Sequence, residues 1–111
     1  MTNPAGTRFA SQLVEALRAV WPRAERRAQR GRYDAGDVAG TPWTIEAKAT
    51  RAIDLSGAMD EAKAEAKNAG TDLYCAIIKR RNHSIADAYV VIPLHVWLAR
   101  EAAAGLGSGT P

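Results

Sequence analysis

Leu73-Tyr74-Cys75-Ala76-Ile77-Ile78 is an unbroken apolar run, preceded by Gly70-Thr71-Asp72 and followed by Lys79-Arg80-Arg81. Six residues are too few for an ordinary helix and far too few to span a bilayer. The run therefore reads as a central strand covered on both faces. Its cover must come from the rest of a chain of 111 residues, enough for one modest core. We expect a single domain over residues 1–104, followed by a flexible tail at 105–111 rich in glycine.

Two kinds of segment can supply the cover. Residues 8–20 carry Phe9, Leu13, Ala16, Leu17 and Val20 at helical spacing, with Thr7 as a cap and Pro22 as a stop. Residues 55–69 form a second helix with a stripe of mostly small side chains: Leu55, Ala58, Met59, Ala62, Ala66 and Ala69. Asp54 or Ser56 can cap it, and Gly70 follows its C-terminus. Pro93 can open a last helix with Leu94, Trp97 and Leu98 inward. Short strands are expected near residues 24–29 and 36–39, and Tyr89-Val90-Val91-Ile92 reads as another. Residues 42–49 alternate, with Trp43, Ile45 and Ala47 on one face and Thr44, Glu46 and Lys48 on the other, as in a half-buried strand with a polar face. The order is αβββαββα, an α/β fold with a mixed central sheet of about five strands flanked by helices.

Charge is distributed unevenly. Between Arg18 and Arg32 there are six arginines against the single acid Glu25, and Lys79-Arg80-Arg81 adds a second basic cluster. The whole chain is only +3, so the remainder is net acidic. This asymmetry points to a basic face for an anionic polymer, with Arg26, Arg27, Arg30, Arg32, Lys79, Arg80 and Arg81 as DNA-binding candidates. One cysteine, Cys75, excludes an internal disulfide, and with only two histidines no Cys/His zinc cluster can form. No signal-peptide layout or membrane span is evident, so the expected setting is the cytoplasm, with no membrane partner.

The chemistry concentrates in Gly36-Asp37-Val38 and Ile45-Glu46-Ala47-Lys48. Glu46 and Lys48 are two apart on a strand and leave the same face. A hairpin would return Asp37 beside Glu46. Two adjacent carboxylates repel unless a cation lies between them. Oxygen ligands suit a hard ion such as Mg²⁺, which can polarise a phosphodiester and activate water. Lys48 would orient that water and neutralise developing charge. Asp34 is a second candidate acid, though a loop-tip role beside the arginines serves equally; Asp54 reads as a helix cap. His83 reads as a loop histidine and His95 as a packing or capping residue.

This acid, spacer and Glu-x-Lys pattern resembles the PD-(D/E)xK nuclease superfamily. Within it, the stretch Gly31-Arg32-Tyr33-Asp34-Ala35-Gly36-Asp37-Val38, then Ile45-Glu46-Ala47-Lys48, and a last strand ending Val91-Ile92-Pro93-Leu94 is most similar to Holliday-junction resolvases of archaea and their small phage and bacterial relatives. The resemblance covers residues 6–100. It implies a restriction-endonuclease-like core, a homodimer, and cleavage of branched DNA with Mg²⁺, for which Mn²⁺ would substitute. By carry-over, Asp37, Glu46 and the Ala47 carbonyl bind metal, and Asp37, Glu46 and Lys48 form the catalytic set. The chain departs from the pattern at Ala10, where the family usually has a glutamate on the first helix; Glu15, the only acid there, is expected to face solvent. Alternatives are another nuclease of the same core (exonuclease, repair or restriction type) and a catalytically impaired DNA-binding module.

Overall fold

The computed structural model describes residues 4–27 and 36–105. Its elements are α1 (Pro4–Leu17), β1 (Glu25–Arg26), β2 (Val38–Ala39), β3 (Thr44–Lys48), α2 (Leu55–Ala69), β4 (Tyr74–Ile78), β5 (Tyr89–Val91) and α3 (Leu94–Gly105), with a 3₁₀ turn at Ile85–Asp87 before β5. The chain is α/β, and the expected order of elements is present. Arg30, Arg32 and Asp34 lie outside the described residues, as do residues 106–111 of the expected tail.

The apolar run becomes the middle strand. β4 lies parallel to β3 on one side and antiparallel to β5 on the other, in the order β3-β4-β5. Parallel neighbours need a crossover, and α2 supplies it. Asp54 caps α2 by accepting from the Gly57 N–H at 3.0 Å, and Gly70 closes it in the left-handed conformation at φ +74°. Ala58, Ala62 and Ala66 are buried, so the helix can lie close to β3 and β4. On the opposite face of the sheet, Phe9, Leu13 and Val14 of α1 pack with Ile45, Cys75, Ile77 and Val38.

Among the described residues five strands form, but not in one sheet. β1 and β2 make a separate antiparallel pair, with Glu25 opposite Ala39 and Arg26 opposite Val38. β2 is only two residues long. It meets β3 through the Asp37 N–H, which donates to the Ile45 carbonyl at 2.8 Å. That contact places Asp37 without extending the ladder into a common sheet.

Three other expectations need correction. α1 starts earlier and stops earlier than residues 8–20, so Thr7 lies within the helix rather than capping it, and Pro22 is not what ends it. The chain tightens after Leu17, with Val20 N–H bonding to the Leu17 carbonyl at 3.0 Å and Arg18 Nε donating to the Ala24 carbonyl at 2.9 Å. In α3 the buried residue is Val96, while Leu94, Trp97 and Leu98 are 68%, 47% and 50% exposed. Its start, Leu94-His95-Val96-Trp97-Leu98, is apolar on nearly every side, so spacing could not pick the inner face. The strand at Thr44–Lys48 also lacks a solvated polar face: Thr44 and Glu46 are buried.

Gly40 has φ +85°, and a Cβ there would run into the Arg23 carbonyl. Gly40→Ala should therefore destabilise the fold by about 2–4 kcal/mol, combining left-handed strain with a backbone clash. Urea unfolding would measure it, and a loss below about 0.5 kcal/mol, the scale of an ordinary surface change, would contradict this packing.

Candidate metal-binding site

The site begins with the edge of β3. Thr44 donates its N–H to the Leu73 carbonyl, and the Lys48 carbonyl accepts from the Lys79 N–H, both at 2.9 Å. In a parallel ladder the main-chain groups of alternate residues point the same way. Thr44, Glu46 and Lys48 therefore turn theirs towards β4, and Ile45 and Ala47 turn theirs outward. Asp37 uses this free edge twice. Its N–H bonds to the Ile45 carbonyl, and its Oδ2 accepts from the Ala47 N–H at 2.7 Å. Gly36 makes the approach possible: it is buried at φ +103°, and a Cβ there would sit 3.1 Å from both Ile45 N and Thr44 Cγ2. The Ala47 carbonyl leaves the strand on the same side as Asp37.

The side chains of Glu46 and Lys48 project from the face covered by α2. Lys48 Nζ lies 3.4 Å from Glu46 Oε1 and 3.3 Å from Glu61 Oε2. Glu61 and Glu65 stand one turn apart on α2. One carboxylate oxygen from each of Glu46, Glu61 and Glu65 falls within 4.8 Å of the others, an arrangement that could hold a metal ion. Asp37 is not in that trio, its carboxylate being turned to the Ala47 N–H, but its charge acts on Glu46.

Electrostatics set Glu46 apart. The residue is 6% exposed, and its Oε2 is buried with no donor facing it among the described residues. Burial, a hydrogen bond with Glu65 and the negative charges of Asp37 and Glu65 push its carboxyl up to about 9, against the opposing pull of Lys48. Without a cation, then, this carboxyl keeps its proton at neutral pH. Lys48 is shifted upward by Glu46 and Glu61 despite its burial, so it stays an ammonium. A buried carboxylate oxygen lacking a donor, among further acidic oxygens, fits a hard divalent ion.

Of the three residues taken from sequence as catalytic, Glu46 and Lys48 pair on β3, and Asp37 is bonded to the edge of that strand with its carboxylate outside the acidic cluster. Glu61 and Glu65 were missed. They stand immediately before Ala62 and Ala66 of the buried stripe, at the margin of the helix face that meets β3, which is the one signal that could have found them. Ala10 is buried in the core, so α1 offers no carboxylate at that position. Glu15 pairs with Arg18 on the surface, as expected.

The remaining candidates divide clearly. Arg26 is exposed on β1 and Arg27 half-buried beside it, with the Arg27 N–H donating to the Asp37 carbonyl at 2.9 Å. Lys79 is half-buried just past β4, and Arg80 and Arg81 are exposed in the following turn. Cys75 is buried, which raises its thiol to about 12 and leaves it inert. His83 meets Asp87 in a loop at 3.0 Å, and His95 packs near the Tyr74 ring. Trp43 is half-buried with Arg100 over its ring, whereas Trp97, expected in the core, is exposed. No family model, curated protein or solved structure matches the chain. No described helix is long and apolar enough to cross a membrane.

Proposed function

We propose that this chain is a Mg²⁺-dependent DNA endonuclease with a restriction-endonuclease-like core, cutting branched DNA in the manner of the Holliday-junction resolvases it resembles. The observation that carries the reading is that Glu46 and Lys48 stand side by side on β3, with Glu46 buried beside the ammonium, while Asp37, just before β2, is anchored to the edge of the same strand at the Ala47 N–H. Asp37, Glu46 and the Ala47 carbonyl are the proposed metal ligands. Glu61 and Glu65 of α2 are added to them, whereas α1, on the opposite face of the sheet, offers no glutamate at Ala10. The bound ion, Mg²⁺ with Mn²⁺ as a substitute, supplies Lewis-acid polarisation of the scissile phosphodiester.

The chain's own groups do the rest. Lys48, held between Glu46 and Glu61, positions the attacking water and offsets charge that builds on the phosphate oxygens. The arginines and lysines already named hold the flanking backbone and set which bond reaches the site. Resolving a junction requires two cuts, which a homodimer provides through two-fold symmetry. Tyr89, Val90, Leu94, Trp97 and Leu98 are exposed large apolar side chains within ten residues of chain, as a buried dimer surface would need.

The test uses a synthetic four-way junction, a linear duplex and a single strand, each with Mg²⁺ and with EDTA. Paired symmetric nicks in the junction, lost in EDTA, are expected. Progressive shortening of the linear duplex would instead assign an exonuclease. Binding without cleavage in either Mg²⁺ or Mn²⁺ would leave only a DNA-binding module.

A further inference from the structure

Beside the acidic site lies a second cleft of opposite charge. The parallel strands β3 and β4 end together, tied by the bond from the Lys79 N–H to the Lys48 carbonyl. The carboxyl ends of parallel strands are where loops diverge and ligands settle. Here the diverging loops enclose a cleft of about 340 Å³ lined by Thr50, Arg51, Lys79, Arg81 and Asn82, with Ala5 in the first turn of α1 closing one side. No acidic side chain among the described residues lines it. Among the described residues, Arg51, Lys79 and Arg81 make no ion pair. Asn82, at φ +62°, forms the tight turn after β4 that follows Arg81.

Three cations facing one cleft repel one another unless an anion lies between them, the mirror image of the carboxylates next door. The cleft also shares Thr50 and Ile53 with the smaller pocket that contains Lys48 and Glu61. A chain of phosphates could run from one to the other. We infer that the Arg51–Lys79–Arg81 cleft binds a backbone phosphate of the nucleic acid, next along the strand from the bond presented to Lys48. The inference deepens the nuclease reading and rests on it for the identity of the anion. Arg51 carries no signal in the sequence, being an isolated arginine in a loop; only the fold sets it beside the cluster after β4.

The test is binding of a fluorescent DNA duplex in EDTA over a range of KCl concentrations. Arg51→Ala and Arg81→Ala should each lower the slope of log affinity against log salt by about one ion, and together by about two. Arg51→Lys keeps the charge and should keep the slope. Lys63→Ala, in the separate groove between α2 and α3, should leave it unchanged. Melting temperatures check that each variant folds. A wild-type slope in Arg51→Ala and Arg81→Ala, or an equal loss in Lys63→Ala, overturns the inference. So does stabilisation of the wild type by inorganic phosphate with no DNA bound, which would mark a site for the free anion. Because the readout needs no divalent ion, absence of cleavage with Mg²⁺ would sink the nuclease reading while leaving this result to stand or fall alone.

Discussion

Glu46→Gln should lower Mg²⁺-supported cleavage of a four-way junction by about 10²–10³-fold, the scale of losing one preorganised electrostatic contact in a catalytic site. The same variant should melt no lower than the wild type at pH 8 without divalent ions. Both effects follow from one side chain. Glu46 is buried against the negative charges of Asp37 and Glu65, and among the described residues its Oε2 faces no donor. The amide has the same shape, carries no charge, and brings an N–H₂ that Glu65 can accept from. It relieves the crowding while removing the charge that would hold a cation. Loss of activity with retained stability separates a ligand from a packing residue. Cleavage within about threefold of wild type, a difference too small for a lost ligand, would remove Glu46 from the metal site. A parallel fall in melting temperature would make it a structural residue instead.

The layered α/β frame was legible because its signals are local. The Leu73-to-Ile78 run could only be a doubly covered strand, and Asp54 and Gly70 marked the ends of α2 through their capping chemistry. The return of Asp37 to the edge of β3, where it accepts from the Ala47 N–H, was legible for a similar reason: short spacing through a turn leaves few alternatives. What failed was long-range. The polar face of β3 looked solvated because nothing in Thr44-Ile45-Glu46-Ala47-Lys48 says which element will cover it. The fold lays α2 there, buries Glu46 and turns a surface pair into a perturbed carboxyl. Glu61 and Glu65 became candidates only through that packing, and Arg51 only through the parallel pairing that brings the ends of β3 and β4 together. The inner face of α3 was misread because its apolar residues surround the helix, and burial of Val96 is decided by contact with Tyr74 and α2 rather than by periodicity.

The wild-type protein should lose stability as pH rises from about 5 to about 9 in EDTA, and Mg²⁺ should restore it most at the alkaline end. The folded carboxyl of Glu46 is raised to about 9 from an ordinary value of 4.5. Between those values the unfolded chain has released a proton that the folded one retains, so stability falls with pH. The contribution is fully present below 4.5 and is lost as pH climbs through the folded value. Lys48 does not offset this, since its own titration lies above the window. Mg²⁺ competes with the proton for the same oxygens, so its stabilisation should grow as the proton becomes easier to displace. Melting curves at pH 5.5 and 8.5, with and without 10 mM Mg²⁺, should show a larger Mg²⁺-induced rise at the higher pH, on the order of 5 °C for about 1 kcal/mol in a domain of this size. Glu46→Gln should flatten both the pH dependence and the Mg²⁺ response. Equal Mg²⁺ shifts at the two pH values, or a slope that survives in Glu46→Gln, would place the ion elsewhere and leave the buried acids as an unligated cluster.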